Sequence, residues 1–317
     1  MSEISDAAAS TRSAATAPPW QRRVASAIVA VVSQFLGLGL VFTGGASVLA
    51  GAAGDGAFGS ADWLRISAGL VLIAISAATM VVSTCGVIIA ASAEILISIL
   101  ALVIPFSIGS RDVHPVNWLR GVYVVVFPDG AEVAGLATAS GFVLVLGCVC
   151  LAAALGHRER RRAGSRVSPL GRIIAMGAAV VLSIPGAALV WAGGHQLGVE
   201  YRVFASPDLS VGSVIMVFTG ALLCAAVAAV SRLSAAALYA FGLFWVTMWV
   251  AFGVFLSAAT PETVPIIPVW ATTTAVVWCL CGFSAVLAVF LLTSGVVMRV
   301  VALSLRETSH TAEQAAQ

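Results

Sequence analysis

Apolar and polar residues are distributed along this chain in long blocks rather than in a short alternating period. Hydrophobic runs of about 20 residues or more recur throughout, which is the length that a helix needs to cross a hydrocarbon core of about 30 Å. A transmembrane barrel would show segments of about ten residues in which apolar and polar positions alternate, and the chain lacks that period. The pattern therefore predicts an all-α polytopic membrane protein with about eight transmembrane helices.

Connectors rich in glycine, proline and charge set the ends of the predicted spans. The apolar run 66–108 is too long for one span, and we divide it near Ser83–Gly86, where small and hydroxyl residues favour a turn. Residues 123–127 combine valine with aromatic residues, which favours an extended strand or an interfacial segment before a turn at Pro128–Gly130. The predicted spans are about 24–50, two within 66–108, 133–155, 173–194, 211–230, 235–256 and 269–292.

The two halves of the chain are similar to each other. A shift of 149 positions aligns Arg23 with Arg172 and the pair Gly44–Gly45 with Gly193–Gly194. Because each half holds an even number of spans, the copies share one orientation, as parallel repeats do. We therefore predict two parallel four-helix repeats. The predicted divisions are a disordered cytoplasmic tail (1–20), a first membrane repeat (21–156), a basic cytoplasmic connector (157–172), a second membrane repeat (173–294) and a cytoplasmic C-terminal tail (295–317).

Charge is scarce and its sign is distributed unevenly. Only 9% of the residues are charged, against about 25% in a soluble domain. Most of the arginines fall on the side of the chain termini and of the central connector, so the positive-inside rule predicts that both termini are cytoplasmic in a plasma or cell inner membrane. The densest arginine cluster is expected to fix this topology or to contact anionic lipid or a partner. Its members are Arg158, Arg160, Arg161 and Arg162.

Small residues recur on one face of the first and fifth predicted spans. Glycines at helical spacing let the backbone of a second helix approach closely, which is how many membrane helices pack. These positions are therefore predicted helix-packing sites. They are Gly37, Gly44 and Gly45 in the first span and Gly186, Gly193 and Gly194 in the fifth.

Glu94 is the one ionisable side chain that the pattern places well inside the hydrocarbon region. An intramembrane carboxyl group is costly and is a candidate functional site by default. It shares a helical face with Ser98 and several alanines, so it is expected to face protein or a water-filled crevice. It is then either a protonatable or cation-contacting group on a pathway or a neutral carboxyl group hydrogen-bonded to a neighbouring helix. Gln34, in the middle of the first span, is its potential partner or a simple interhelical hydrogen-bonding residue.

Other residues that often carry chemistry have structural explanations here. The cysteines of Cys148–Val–Cys150 and of Cys279–Leu–Cys281 are two positions apart, and one helix cannot direct both thiols at one ion. Histidines lie in connectors or in the tail and are expected to be interfacial or solvated. Trp191 and other tryptophans are expected to form a belt at headgroup level. No cofactor-binding fingerprint is present, so we predict no catalytic, cofactor-binding or metal-ligating residues.

Two classes of function remain from these observations. The first is a non-catalytic subunit or scaffold of a membrane complex, because intramembrane charge is scarce and the loops are small. Its expected partners are membrane lipid and other membrane-protein subunits or a second copy of the chain, without nucleic acid. The alternative is a transporter or permease for a neutral or lipidic solute, with Glu94 on the pathway. An enzyme is not expected.

Overall fold

The fold is helical wherever the structure, a computed structural model, describes the chain. The described residues are 20–52, 59–103, 115–163, 169–203, 210–258 and 269–314, and every regular element in these ranges is an α- or 3-10 helix. Nearly all of the predicted N-terminal tail lies outside them. The helices are α1 (Trp20–Ala52), α2 (Ser60–Ala78), α3 (Cys85–Val103), α4 (Pro115–Val126), α5 (Ala131–Ala139), α6 (Phe142–Ala163), α7 (Pro169–Val203), α8 (Val211–Ala229), α9 (Ala235–Ala258), α10 (Val269–Leu280) and α11 (Phe283–Gln314).

In the described ranges, eight of these helices are long and apolar enough to cross a membrane. They are α1, α2, α3, α6, α7, α8, α9 and α11, so the helical class and the number of spans agree with the prediction. The helical structure is interrupted at residues 82–84, where the predicted turn begins. The hydroxyl group of Ser83 accepts a hydrogen bond from the backbone N–H of Cys85 at 3.2 Å, which satisfies one of the free donors at the start of α3. Ser234 does the same at the start of α9, with the N–H of Ala236 at 3.1 Å.

The fourth and eighth predicted spans are not continuous helices, and on this point the prediction was wrong. The first is broken at Gly141, between α5 and α6, and the second at Gly282, between α10 and α11. Both glycines adopt a positive φ, +79° and +76° respectively, which side-chain-bearing residues rarely adopt. Apolar residues continue through both breaks, so hydropathy does not reveal them.

Residues 123–126 are helical and Phe127 directly follows them, so the strand alternative was wrong. The four residues end α4, and the side chains of Tyr123 and Phe127 pack against the middle of α1. Tyr123 stacks on Phe35 with 5.1 Å between ring centroids and meets Phe42 edge-on at 5.3 Å, and the ring of Phe127 covers Gly39. The side chain of Val125 on the opposite side is 84% exposed. The interfacial alternative remains a prediction.

The predicted packing glycines lie at close helix contacts. A Cβ added at Gly37 would be 2.9 Å from the carbonyl oxygen of Gly69 on α2. The same contact recurs between α7 and α8, where a Cβ added at Gly220 would be 2.7 Å from the carbonyl oxygen of Gly186. Real Cβ atoms essentially never come within 3.0 Å of another atom, so these helices can approach this closely only because glycine is present.

Each half of the chain also packs on the helix break of the other half. Gly45 on α1 lies against the backbone of Cys281, and Gly194 on α7 lies against the backbone of Ser140. The residues that follow the two breaks, Phe142 and Phe283, stack at 4.3 Å between centroids and are completely buried. The two breaks therefore lie next to each other in the buried core.

Candidate functional site

Three helices meet at a buried polar cluster of Gln34, Ser76 and Glu94. Gln34 is on α1, about 20 Å from its first residue at 1.5 Å per residue, and is only 2% exposed. Its side-chain Nε2 donates a hydrogen bond to Glu94 Oε1 on α3 at 2.7 Å. Its Oε1 accepts one from the hydroxyl group of Ser76 on α2 at 3.0 Å. Gln34 is thus a hydrogen-bonding partner of Glu94 and also joins α1 to α2.

Two oxygen atoms in or beside this cluster have no hydrogen-bond partner in the part of the chain that the structure describes. They are Oε2 of Glu94 and the hydroxyl group of Ser98, and both are buried. Ser98 follows Glu94 by one helical turn, so the two side chains share a face of α3. Buried polar atoms are usually hydrogen-bonded, so two unpaired ones on one face call for an explanation.

The position of Glu94 follows from the packing of α3 on α6. A Cβ added at Gly147 of α6 would be 3.1 Å from the Cβ of Glu94 and 2.9 Å from the carbonyl oxygen of Ala91. Glycine therefore brings the backbone of α6 against the face of α3 that carries the carboxyl group. On that face Ala91 and Ser98 are fully buried, whereas Leu96 on another face is 59% exposed. In the structure the side chain of Glu94 therefore lies against α1 and α6.

The groups around Glu94 are neutral. Tyr123 of α4 and Cys148 and Cys150 of α6 lie close enough to interact electrostatically with its carboxyl group. Gln34 Nε2 is also 3.9 Å from the sulfur of Cys150. Within the described ranges no arginine or histidine forms an ion pair with Glu94. Sequence reasoning did not identify Ser76, Tyr123 or Gly147, because only the packing of α2, α4 and α6 brings them here.

A second polar cluster lies at the other end of α6, and it corrects the expectation for His157. This histidine is not solvated but only 2% exposed. Its Nε2 accepts a hydrogen bond from Nε of Arg161 at 2.9 Å. The guanidinium group of Arg161 also donates to the carbonyl oxygens of Met80 and Val81, at 2.7 and 2.6 Å. These carbonyl groups lie at the end of the 3-10 turn that follows α2, where no helical donor is left for them.

Arg161 therefore differs from the other members of the predicted arginine cluster. Arg158 is exposed, whereas Arg161 connects α6 to the end of α2. The exposed side chains of Glu159 and Arg232 approach within 3.8 Å, a surface contact of small energetic value. Contact of the arginine cluster with lipid or a partner remains a prediction for the residues other than Arg161.

Replacing Arg161 with alanine is expected to lower the free energy of unfolding by about 1 to 2 kcal/mol, because it removes charge-assisted hydrogen bonds to two carbonyl groups and to a buried histidine. Arg158→Ala is the matched control on the same turn of helix and is expected to change stability by less than about 0.5 kcal/mol. Thermal unfolding of the purified variants in one detergent measures the difference. Equal effects of the two substitutions would show that Arg161 does not stabilise the end of α2.

Trp191 was predicted to lie in a headgroup-level belt, and this was wrong. It is 8% exposed and meets the ring of Trp245 edge-on, at 6.1 Å between centroids. Trp245 stacks in turn on Trp278, whose indole N–H donates to the hydroxyl group of Ser140 at 3.3 Å. The aromatic residues of the second half thus form a continuous buried cluster that reaches the break before α6.

The metal-ligand inventory of the described residues is small. They contain no group of three or more His, Cys, Asp or Glu side chains arranged to hold a metal ion, and their six cysteines are free thiols. The sulfur of Cys279, near the end of α10, is 3.7 Å from the hydroxyl group of Ser284, and Cys281 lies in the break.

No protein-family model matches the chain, and comparison with curated proteins and with solved structures finds no significant match.

Proposed function

We propose that the protein is a non-catalytic subunit or scaffold of a membrane complex. The observation that carries this proposal is the packing at the centre of the molecule. Transporters built from repeats hold their solute where the repeats meet. Here Phe142, Phe283 and Trp278 pack together between the two halves of the chain, with centroid separations of 4.3 Å for the phenylalanine pair and 5.3 Å between Phe142 and Trp278. A closely packed aromatic centre stabilises a rigid body and leaves the outer faces as the surfaces for contact.

The outer faces offer several apolar surfaces for a partner helix. Leu96 of α3, Val181 of α7 and Leu222 of α8 are 59%, 67% and 65% exposed. In a bilayer such faces meet lipid or another helix. A subunit or scaffold is expected to use one of them for a partner and to leave the others to lipid.

Photo-crosslinking tests this proposal. A photoreactive residue is placed in turn at Leu96, Val181 and Leu222 of the full-length protein in its native membrane, with the buried Leu144 as the control. A partner gives one discrete crosslinked protein from one face and only lipid adducts from the others. Lipid adducts from all three faces would contradict a scaffold that acts through these surfaces.

A second candidate function is transport of a neutral or lipidic solute, and the polar cluster supports it. Glu94 Oε2 is buried without a hydrogen-bond partner among the described residues, as expected for a group that awaits a ligand or a proton. Glu94→Gln keeps the shape of the side chain and most of its hydrogen bonds. In an uptake or complementation assay at matched expression, loss of activity in a folded variant supports this candidate, and full activity excludes Glu94 from the pathway.

We further propose that the two halves are parallel repeats with both termini in the cytoplasm of the cell. The recurring glycine contacts of α1 with α2 and of α7 with α8 support the repeat. So does the reciprocal packing of Gly45 and Gly194 on the two helix breaks. Parallel repeats are related by an axis along the membrane normal, which here would pass between Phe142 and Phe283.

The proposed orientation predicts how single cysteines react in a cysteine-free background. Cysteines at the exposed positions Ser60 and Val211 are expected to react with an impermeant reagent added outside the cell. Cysteines at Glu159 and Ser304 are expected to react only after permeabilisation. Reaction of Glu159→Cys from outside would reverse the orientation.

A further inference from the structure

We propose that His157 and Arg161 form a proton-sensitive latch, which holds the end of α2 against α6 and opens when Nε2 of His157 takes a proton from water. In the closed latch Nε2 accepts a hydrogen bond from Nε of Arg161 at 2.9 Å. The same guanidinium group donates to the carbonyl oxygens of Met80 and Val81, at 2.7 and 2.6 Å. The ring of His157 thus directs Arg161 towards the end of α2.

The closed latch requires a neutral histidine. A guanidinium group has only donors and keeps its proton in proteins, so the nitrogen that faces it must be an acceptor. Protonation turns Nε2 into a donor, and the hydrogen bond is then lost. It also brings two cations together at a ring that is only 2% exposed, where little water is present to screen them. Proton binding therefore drives Arg161 away from His157 and from the carbonyl groups that it holds.

The charged side chains that act on the ring of His157 are Arg161 and Arg160 of its own helix. The 3-10 turn that follows α2 has no titratable side chain. Among the described side chains, the other titratable or charged groups on elements packed along α6 face elsewhere, towards other partners or the surface. They are Cys85 and Glu94 on α3, Glu132 on α5, Cys224 on α8, Arg232 after α8 and Arg299 on α11.

The second half of the chain buries the same helix end without a latch. Counted from the first residues of α6 and α11, Met298 stands where His157 stands, and each is 2% exposed. Ala302 stands where Arg161 stands. An apolar side chain therefore fills this position in one half, so burial by itself does not require a titratable ring at position 157 in the other.

Opening of the latch would loosen the turn between α2 and α3. In the closed turn the backbone N–H groups of Val82 and Ser83 both donate to the carbonyl oxygen of Thr79, at 2.9 Å each. Arg161 holds the carbonyl groups of the next two residues and so keeps this turn against α6. Its release lowers the cost of local opening, and the amide groups of the turn then exchange with solvent more often.

Hydrogen–deuterium exchange of the full-length protein in lipid nanodiscs measures this opening. Buffers of about pH 8 and about pH 4 lie on either side of the ordinary histidine pKa of about 6.5. In wild type the amide groups of residues 79–85 are expected to exchange about tenfold faster in the acidic buffer, after correction for the intrinsic effect of pH on exchange. The latch rests on neither candidate function, because the measurement needs no partner and no solute.

Two variants isolate the contribution of His157. The side-chain oxygen of His157→Gln can replace Nε2 as an acceptor that does not titrate, so the turn should exchange slowly in both buffers. Arg161→Ala removes the group that holds the turn, so exchange should be fast in both. Carboxyl groups that titrate in this range are the same in all three proteins, and the comparison with His157→Gln subtracts their effect.

Exchange of the turn that is equal in the two buffers in wild type would overturn the latch. So would an acid-induced increase of the same size in His157→Gln. Should that variant fail to fold, His157→Met introduces the side chain that the second half has at this position, and the acid-induced increase should be lost there as well. An increase that persists in His157→Met would place the titrating group elsewhere and reject the proposal.

Discussion

Gly194→Ala is expected to prevent stable packing of the two halves. The added Cβ would lie less than 3.0 Å from the carbonyl oxygen of Ser140, with two further backbone atoms of Ser140 at 3.1 and 3.3 Å. Backbone atoms cannot rotate away as the end of a side chain can, and Ser140 is fixed by the break at Gly141. α7 must therefore separate from the break. Overpacking of this kind costs about 3 kcal/mol.

Gly177 provides the matched control, because it lies on the same helix with no atom near its added Cβ. Gly177→Ala is expected to leave stability unchanged or to raise it by up to about 1 kcal/mol, since alanine favours the helix. The measurement is the midpoint of thermal unfolding in one detergent, with the monodisperse fraction after purification. Similar midpoints for the two variants would mean that α7 does not pack on Ser140 as described.

Phe142→Ala is expected to have the other large effect, a loss of about 3 kcal/mol. Phe142 is completely buried, stacks on Phe283 and meets Trp278 edge-on. In a membrane the hydrophobic contribution is small because lipid is equally apolar, so most of the loss is the packing energy of a cavity that its neighbours cannot fill. The cavity would open between the two helix breaks and weaken the contact of the halves.

Two comparisons identify the cause of this loss. Phe142→Leu fills most of the volume and removes only the ring contacts, so an intermediate loss is expected. Leu222→Ala on the exposed face of α8 should change stability by less than about 0.5 kcal/mol. The midpoint of unfolding in one detergent ranks the variants. A loss from Leu222→Ala as large as that from Phe142→Ala would show that the centre is not the best-packed part of the molecule.

The number of spans was predictable from sequence because the cost of burying polar backbone and charge in lipid acts over whole segments. Runs of apolar residues long enough to cross a membrane mark each span, and Ser83 marks the turn before Cys85. The breaks at Gly141 and Gly282 were not predictable in this way. A single backbone angle at one glycine produces each of them, and the residues on both sides remain apolar.

The candidate site was predictable in one respect and not in another. The rarity of an intramembrane carboxyl group identified Glu94, and its face was given by the small residues around it. Its partners follow from contacts between residues far apart in sequence. Gln34 precedes Glu94 by 60 positions, and no periodicity links them. The same holds for Arg161 and the carbonyl group of Met80, which are 81 positions apart.

The sequence by itself therefore determined the helical class, the count of spans and the face of Glu94, because solvation by lipid and helical periodicity act locally along the chain. Tertiary structure alone decided that the rings of Tyr123 and Phe127 pack against α1 and that Trp191 and His157 are buried. It also decided that Gly45 and Gly194 each contact the break of the opposite half. Lipid is as apolar as a protein core, so hydropathy does not distinguish a lipid-facing side chain from a packed one, and shape complementarity between distant segments makes that choice.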